Sequence, residues 1–367
     1  MRFLHTSDWH LGRSFHSQGL LAAQSQFIDH LVDTAIAERV DAVLVSGDIY
    51  DRALPPVDAV ELASDALRRL LSARVRVVMT SGNHDSAARL GFASELIDMA
   101  GIYLRTQPHG VGVPVMLPDA YGDVAVYGLP YLEPDLIREP WQLDSRSHQV
   151  VLSEAMRRVR ADLAQRPVTT RSVVMAHAFV VGAAASDSER DISVGGVSSV
   201  GLDTFDGVDY AALGHLHGRH TLSDRVRYCG SPLAYSFSEA RHRKGSWLIE
   251  LGSAGLMTAD FVESPVPRPL AVLRGTLDEL LSDPDLAHAQ DSWVQATLVD
   301  ERRPLRAMDR LRARFPHALV LAFEPSGERD DVQRRLRERV VGRSDADVIA
   351  NFFADVRGFH SAGSKRA

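Results

Sequence analysis

The pattern of apolar and polar positions divides the chain into alternating strands and helices. Short runs rich in β-branched residues indicate strands, and the longer stretches between them have the apolar spacing of amphipathic helices. The predicted strands are RFLHTS, DAVLVSG, VRVVMTSG, VAVYGLP, RSVVMAHAF, DYAALGH and WLIEL. The predicted helices include residues 22–38, 57–72 and 148–165. Up to about residue 251, this alternation is typical of a layered α/β domain.

A second, smaller domain is predicted beyond a proline-rich linker. The stretch ESPVPRP (263–269) holds three prolines in seven residues, which is typical of a connection between domains. The segments LAVLRG, LDELL, WVQATLVD, PLRAMDRLRARF and ALVLAFE then alternate between strand and helix patterns, which predicts a small α+β domain. Two further helices, at about 330–341 and 345–357, and a polar end follow. Residues 182–203 are rich in Gly, Ser and Ala, and we expect them to form a long loop.

Composition places the chain among ordinary soluble globular proteins, with 45% hydrophobic and 24% charged residues. No apolar run approaches the length of a membrane span, and the N-terminal residues lack the apolar core of a signal peptide. The single cysteine, Cys229, excludes an intramolecular disulfide and is read as a small core residue. We therefore expect a cytoplasmic protein with no membrane contact.

The net charge of −7 hides an asymmetry along the chain. Residues 302–343 contain twelve arginines and six acids, a balance of +6, which leaves −13 for the remainder. The predicted helix in this region repeats Arg306, Arg310 and Arg314 at intervals of four, which places them on one helix face. This face could bind phosphate groups, or it could be a solvated helix surface.

Polar residues of the same few kinds follow five of the predicted strands. The strand ends carry Asp8 and His10, Asp48 and Asp51, Asn83 with His84 and Asp85, His177, and His215 with His217. Because ligands of open α/β sheets bind at the carboxyl ends of strands, we expect these side chains to converge. One such pair would be ordinary surface polarity, but five in equivalent positions indicate a site.

The donors at this site are carboxylates, imidazoles and an amide, with no thiolate. This set is too hard for a structural zinc site and too rich in histidine for a pure magnesium site. It suits Mn²⁺, iron or catalytic Zn²⁺. The candidate donors are Asp8, His10, Asp48, Asn83, His177, His215 and His217. These seven exceed the needs of one ion and match two ions that share a bridging ligand. Two-metal sites of this kind serve phosphoryl displacement, so the residues predict metal-assisted phosphoester hydrolysis.

The motifs DWH, GDIYD, GNHD, the lone AH and GHLH resemble, in order and spacing, the signatures of calcineurin-like metallophosphoesterases. Within that superfamily, LHTSDWHLG, VYGLPYL, SDSERDISVGG and YCGSPLAYSFSE are similar to bacterial SbcD nuclease subunits. The resemblance extends to about Glu250. It implies a four-layer α/β fold, a β-sandwich flanked by helices, with a small α+β capping domain and a C-terminal helical tail. The implied domains are residues 1–265 (nuclease), 266–343 (DNA capping) and 344–367 (partner binding).

The resemblance also implies a role for each residue of the site. Asp48 would bridge two divalent ions, with Mn²⁺ the expected metal. The remaining ligands would be Asp8, His10 and His217 for one ion, and Asn83, His177 and His215 for the other. His84 would be the catalytic histidine, near the scissile phosphate and not on a metal. Asp85 is expected to accept hydrogen bonds from backbone amides of the turn.

Asp51 departs from the archaeal and eukaryotic relatives, which have a histidine at that position. Related phosphatases place an aspartate there to orient the catalytic histidine. We hypothesise that the Asp51 carboxylate bonds to His84 and raises the pKa of its imidazole, which would make Asp51 a second catalytic residue. The alternative is that Asp51 caps the following turn.

The resemblance favours a DNA nuclease subunit, with exonuclease activity on duplex ends, from the 3′ side, and endonuclease activity on hairpins. Its implied partners are an SbcC-type ATPase, two copies of each subunit forming a heterotetramer, and a second copy bound through the nuclease domain. Alternatives are a stand-alone phosphomonoesterase or cyclic-nucleotide phosphodiesterase, and a non-catalytic scaffold. The sequence DADVIANFFADVRG (345–358) forms an apolar stripe when drawn as a helix. This stripe is expected to lie on the ATPase or to fold back on the small domain.

Overall fold

The chain forms two compact units, which are described separately. The structure is a computed structural model, and it describes residues 1–190 and 199–325. Among these residues, the first unit takes in the described part of Met1–Ala271 together with Asp291–Trp293, and the second takes in Val272–Gln290 and residues 294–325. The domain limits 265/266 and 343/344 stay predictions.

The first unit contains most of the regular elements. Its strands are β1 (Arg2–Thr6), β2 (Ser14–Phe15), β3 (Gln18–Gly19), β4 (Ala42–Ser46), β5 (Arg76–Thr80), β6 (Ile102–Arg105), β7 (Val115–Asp119), β8 (Gly122–Gly128), β9 (Arg171–His177), β10 (Phe179–Val180), β11 (Ser199–Val200), β12 (Tyr210–Gly214), β13 (His220–Thr221), β14 (Val226–Tyr228), β15 (Gly245–Gly252) and β16 (Gly255–Glu263). Its α-helices are α1 (Leu21–Ala37), α2 (Val57–Ser72), α3 (Ala87–Leu90), α4 (Ser94–Asp98), α5 (Pro134–Ile137) and α6 (His148–Leu163). Short 3-10 helices span Pro108–Gly110, Leu202–Phe205 and Phe237–Glu239.

Two six-stranded sheets face each other in the first unit. One has the order β16-β15-β1-β4-β5-β6 and the other the order β13-β14-β12-β9-β8-β7. One apolar cluster lies between the sheets, a second joins the first sheet to α1 and α2, and a third joins the second sheet to α6. The predicted four-layer α/β fold is therefore confirmed.

The central strands are apolar on both faces because each sheet is covered on both sides. In β4, Val43 and Val45 belong to the cluster beside α1 and α2, whereas Ala42 and Leu44 belong to the cluster between the sheets. Such strands read as continuous apolar runs, and all seven strands predicted from such runs are present. The edge strands were missed, because β16 is largely exposed and β7 contains a proline.

The second unit has the predicted alternation of strands and helices. Its elements are β17 (Leu270–Gly275), α7 (Leu277–Ser282), the 3-10 helix Pro284–Ala289, β18 (Trp293–Leu298), α8 (Ala307–Arg314) and β19 (Ala318–Phe323). The strands form one sheet of order β17-β18-β19. A capping box of Thr276 and Glu279 begins α7. The helices predicted at about 330–341 and 345–357 lie outside the described residues.

The predicted arginine face of α8 is only partly available for a ligand. Arg310 pairs with Asp278 at 2.8 Å, and Arg314 donates to the carbonyl of Leu280 at 2.9 Å. Arg306 precedes the helix with a φ of 51° and pairs with Asp309. Arg314 thus ties α8 to α7, whereas Arg310 remains 47% exposed in its pair with Asp278, and binding of phosphate by this face stays a prediction.

No helix in the described ranges is long and apolar enough to cross a lipid bilayer.

Candidate metal centre and active site

The polar residues predicted to converge do meet at the carboxyl ends of β1, β4, β5, β9 and β12. In the part of the chain that the structure describes, three groups have ligand atoms that all lie within 4.8 Å of one another. These groups are Asp8 with His10 and His217, Asp8 with Asp48 and His177, and His10 with Asp48 and His84. Since Asp8, His10 and Asp48 recur, the groups form one continuous cluster.

The chain passes through the cluster in a conformation that most residues avoid. Asp8, His10, Asp48 and His215 have φ values of 53°, 44°, 50° and 104°. Left-handed backbone at non-glycine residues is costly and concentrates at functional sites. Around them the packing requires glycine, because a Cβ on Gly82 would overlap the Asp48 carboxylate.

The ligand atoms of the cluster face one another across short distances. His10 Nε2 lies 3.1 Å from His217 Nε2, and His177 Nε2 lies 2.9 Å from Asn83 Oδ1. His177 Nε2 is also 3.4 Å from Asp48 Oδ2, while its Nδ1 donates to the Ser46 carbonyl at 3.0 Å. The ring nitrogens and side-chain oxygens that face one another here surround positions suited to cations.

Asn83 and His215 occupy the second side of the cluster. His215 lies beside His177, with ring centroids 5.3 Å apart, and its backbone N–H donates to Asp8 at 3.0 Å. The ring nitrogens of His215 do not belong to any of the three close groups. The structure therefore brings His215 to the site but does not assign its imidazole to an ion.

Burial and mutual interactions shift the pKa values of these groups. Burial raises the pKa of Asp8 to about 6. Burial alone would also raise the pKa of Asp48, but His177, His10 and His84 bring it well below its usual range. Burial would lower the pKa of His177, but Asp48 raises it to about 9. Burial lowers the pKa of both His10 and His215.

The residues present fit two divalent cations. Asp8 and Asp48 are buried carboxylates in one cluster, which is costly without compensating positive charge. Within the described ranges, His10 Nδ1 and Asn83 Nδ2 are buried without a hydrogen-bond partner. Oxygen and imidazole donors without a thiolate suit Mn²⁺, iron or catalytic Zn²⁺. The assignment of each ligand to one of two ions stays a prediction.

The hypothesis that the Asp51 carboxylate holds His84 is wrong. His84 Nδ1 donates instead to the backbone carbonyl of Asp51, at 2.8 Å. The Asp51 carboxylate lies 3.5 Å from Arg13 Nη1 and 3.7 Å from His10 Nδ1. Burial lowers the pKa of His84, against the attraction of Asp48. His84 is still well positioned, because its backbone N–H donates to Asp48 Oδ1 at 2.8 Å.

Two minor predictions are confirmed. Asp85 accepts from the backbone N–H groups of Ile49, Tyr50 and Gly82 at 3.1, 3.0 and 2.9 Å, which fixes the turn beside the site. Cys229 is a fully buried free cysteine within the cluster between the sheets.

Residues around the cluster carry further contacts that the sequence did not reveal. Glu239 and Lys244 form a buried ion pair behind His217. In the predicted loop, Ser188 contacts His217 Nδ1 at 2.5 Å, and Arg190 Nη2 lies 3.4 Å from His84 Nδ1. Ser188 and Arg190 lie in the stretch SDSER, and Glu239 lies in YSFSE. Both stretches belong to the segments that resemble SbcD, but the spacing of their residues does not indicate a role.

The fold and the donor cluster together define a metal-dependent phosphoester hydrolase. Residues 1–219 match the family model described as calcineurin-like phosphoesterase, and the chain belongs to this family. Residues 266–357 match SbcD_C, described as the type 5 capsule protein repressor C-terminal domain. Together the two matches support an SbcD-like member of the nuclease superfamily.

Three solved structures are similar to the chain, each at 13% sequence identity. TT1561 of Thermus thermophilus has a TM-score of 0.41, with 72% of this chain and 99% of that chain covered. GAP50, the anchor in the inner membrane complex of Plasmodium, has a TM-score of 0.41, with coverage of 89% and 98%. A dimetal phosphatase from Danio rerio has a TM-score of 0.40, with coverage of 72% and 99%.

Proposed function

We propose that the chain is the nuclease subunit of a bacterial SbcCD-type complex and hydrolyses DNA phosphodiesters with two divalent ions, with Mn²⁺ the expected metal. The observation that carries the proposal is the continuous cluster in which Asp48 neighbours both His177 and His10, with His84 beside it. The expected activities are exonuclease cleavage of duplex ends from the 3′ side and endonuclease cleavage of hairpins.

When bound, two divalent cations supply Lewis-acid activation of the phosphoester and of the attacking water. Asp8, His10 and His217 would hold one of these cations, Asn83, His177 and His215 would hold the other, and Asp48 would contribute to both. Because all of these residues except Asn83 are buried, a bound phosphate would lie where charge is poorly screened by water, and each interaction with it would be strengthened.

His84 is placed to hand a proton to the leaving oxygen. Its Nδ1 is engaged by the Asp51 carbonyl, which leaves Nε2 for the substrate. Burial opposes the imidazolium form, whereas Asp48 and the Asp51 carbonyl favour it. The charge of a bound phosphodiester would favour the protonated form further, so that His84 can act as a general acid.

Arg190 supplies positive charge beside His84, at the Nδ1 edge of its ring. Its guanidinium donates to the Asn83 carbonyl at 3.2 Å and lies within 3.4 Å of His84 Nδ1. The side chain is otherwise exposed. An arginine in this position is suited to a phosphate oxygen of the substrate, since its fork of donors matches phosphate geometry.

DNA as the substrate is supported by the small domain. Residues 266–357 match SbcD_C, and a phosphatase that acts on small molecules has no evident need for such an additional domain. In the described part of that region, Arg302 and Arg303 are exposed. Because Arg314 is engaged by backbone carbonyls, we expect Arg302 and Arg303 to contact DNA phosphates together with the exposed Arg306 and Arg310, without sequence preference.

A homodimer through the nuclease domain is supported by exposed apolar side chains around α2, α3 and α4. Phe92 is 79% exposed and Met99 is 88% exposed. Leu54, in the loop before α2, lines a groove of about 430 Å³ together with Leu90. Apolar surface of this kind marks an interaction site in soluble proteins.

The experiment is an assay of the purified chain with Mn²⁺ on duplex DNA, hairpin DNA and a chromogenic phosphodiester. We expect cleavage of all three and loss of all three activities in His84→Gln. Cleavage of the chromogenic substrate without cleavage of either DNA would instead favour a stand-alone cyclic-nucleotide phosphodiesterase. Failure on all three substrates would favour a phosphomonoesterase or a non-catalytic scaffold, which a chromogenic phosphomonoester separates.

A further inference from the structure

Glu239 and Lys244 form an ion pair inside the first unit, behind His217. Glu239 is only 1% exposed and Lys244 only 4% exposed. Lys244 Nζ donates to Glu239 Oε2 at 2.5 Å, to the His217 carbonyl at 2.9 Å and to Ser231 Oγ at 3.0 Å. A buried ion pair is seldom more stabilising than apolar packing. Its presence here therefore points to a role in the site.

The second oxygen of the same carboxylate faces the candidate ligand His217. Glu239 Oε1 accepts a short hydrogen bond from Ser188 Oγ and lies 3.6 Å from His217 Nδ1. Ser188 Oγ is in turn 2.5 Å from His217 Nδ1. Glu239, Ser188 and His217 thus form a chain of contacts that ends at the metal cluster.

Counting protons fixes the direction of this chain. Glu239 Oε2 accepts from the Lys244 ammonium and Glu239 Oε1 accepts from Ser188 Oγ, so both oxygens of this ion-paired carboxylate act as acceptors. Ser188 has one hydroxyl proton and gives it to Glu239. The Ser188 oxygen can then only accept from His217, which requires the proton of the neutral imidazole to be on Nδ1.

This tautomer leaves the lone pair of His217 Nε2 facing the cluster. Nε2 lies 3.1 Å from His10 Nε2, and His217 belongs to the close group with Asp8 and His10. A hydrogen bond on the far nitrogen of a ligating histidine commonly sets its tautomer and orientation, and its loss weakens metal binding.

We propose that Ser188 and Glu239 are positioning residues that lock His217 in the Nδ1–H tautomer and so present its Nε2 to a divalent cation. The inference rests on the proposed metal centre. It gives the segment 186–190 a function, because this segment delivers Ser188 from a position 29 residues before His217.

Ser188→Ala is the variant that isolates the contact. The segment keeps a second attachment, since Glu189 Oε1 accepts from the His217 backbone N–H at 2.7 Å. Ser186→Ala is the control for loss of a neighbouring hydroxyl. Ser186 Oγ lies 2.6 Å from Glu189 Oε2, 3.0 Å from Ser188 Oγ and 3.2 Å from Glu239 Oε1, and its removal leaves the contact between Ser188 and His217 in place. Ser188→Thr retains the hydroxyl and is expected to restore the behaviour of the unsubstituted chain.

The first readout is the tautomer itself. Nitrogen-15 NMR of histidine-labelled, metal-free chain, with His217→Gln to assign the signal, distinguishes a protonated from an unprotonated ring nitrogen. We expect His217 to carry its proton on Nδ1 in the unsubstituted chain and in Ser186→Ala, and to lose that preference in Ser188→Ala. An unprotonated Nδ1 in the unsubstituted chain would overturn the proposal.

The second readout is Mn²⁺ binding measured by calorimetry. In Ser188→Ala we expect the affinity for one of two ions to fall by about 10–100-fold, with the other ion little changed. If Mn²⁺ affinity is unchanged in Ser188→Ala, or falls equally in Ser186→Ala, the positioning role of Ser188 and Glu239 is overturned while the proposed metal centre stands. If the unsubstituted chain binds no Mn²⁺, the proposed metal centre fails together with it.

Discussion

The orientation of single side chains decides how the candidate site works. Three histidines of the cluster each have a different group behind the ring. His177 donates to the Ser46 carbonyl, His217 contacts Ser188, and His10 Nδ1 has the Asp51 carboxylate at 3.7 Å. Partners of this kind set the tautomer and basicity of a ligating imidazole. The Asp51 carboxylate therefore lies beside the His10 ring, while its charge and its backbone carbonyl both raise the pKa of His84, against the larger effect of burial.

Asp51→Asn is predicted to change the metal requirement more than the turnover. The backbone carbonyl that holds His84 remains, so kcat at saturating Mn²⁺ should stay within about threefold. The Mn²⁺ concentration for half-maximal activity should rise by up to about tenfold, because the negative charge of Asp51, 3.7 Å from His10 Nδ1, no longer favours a nearby cation. Titration of activity with Mn²⁺ measures both quantities. A large loss of kcat with an unchanged Mn²⁺ requirement would instead show that the Asp51 carboxylate assists His84 in catalysis.

At the scale of elements, an ion pair joins strands of the second sheet to the first. Arg171 at the start of β9 donates to both oxygens of Asp119 at the end of β7, at 2.7 and 2.9 Å. It also donates to the carbonyl of Gly252 in β15, at 3.1 Å. Arg171 is buried and Asp119 is 14% exposed, so the pair is poorly screened.

Asp119→Asn is predicted to lower the free energy of unfolding by about 2–3 kcal/mol at pH 7, since it leaves Arg171 without its charged partner. The hydrogen bonds from Arg171 hold the pKa of Asp119 well below its usual range. This contribution is therefore present above the usual carboxyl pKa of about 4 and is lost as the pH falls further.

Urea unfolding at pH 7 and at about pH 3.5 measures the effect, with Asp123→Asn as the control. Asp123 is exposed on the neighbouring strand, so its substitution should have little effect at either pH. A difference between the unsubstituted chain and Asp119→Asn that does not narrow in acid would contradict the ion-pair explanation.

The sequence predicted elements better than it predicted contacts. Central strands such as β4 are buried on both faces, so their apolar runs are unambiguous, and the ligand types at their ends follow from strand direction alone. Whether Asp51 meets His84 through its side chain or its carbonyl depends on loop conformation, which periodicity does not encode. The sequence does not predict the contacts from Glu239 through Ser188 to His217, because Ser188 and Glu239 are 51 residues apart and are common residue types.

At the scale of the whole molecule, the proposal requires a nuclease core, a DNA-contacting domain and a segment that binds the ATPase. The first two correspond to the regions matched by the two family models. The third, residues 344–367, lies outside the described residues. Its sequence places Ile349, Phe352, Phe353 and Val356 along one helix face when drawn as a helix.

Deletion of residues 344–367 is predicted to abolish co-purification with the ATPase partner while leaving hydrolysis of a small phosphodiester unchanged. Burying two phenylalanines is worth roughly 1.5–3 kcal/mol each, enough to weaken assembly by about a hundredfold or more. Affinity capture and a melting curve of the shortened chain test this. A sharp drop in melting temperature would show that the segment packs on its own small domain.

The central claim is that His84 works beside the metal ions and is not one of their ligands. The most direct measurement compares metal content and turnover of His84→Gln with those of Asp48→Ala. We predict that His84→Gln keeps two divalent ions and loses about 10²–10⁴ in kcat, the usual contribution of a general acid. Asp48→Ala should lose the ions themselves. A His84→Gln chain that is metal-free, or that retains full turnover, would contradict the account.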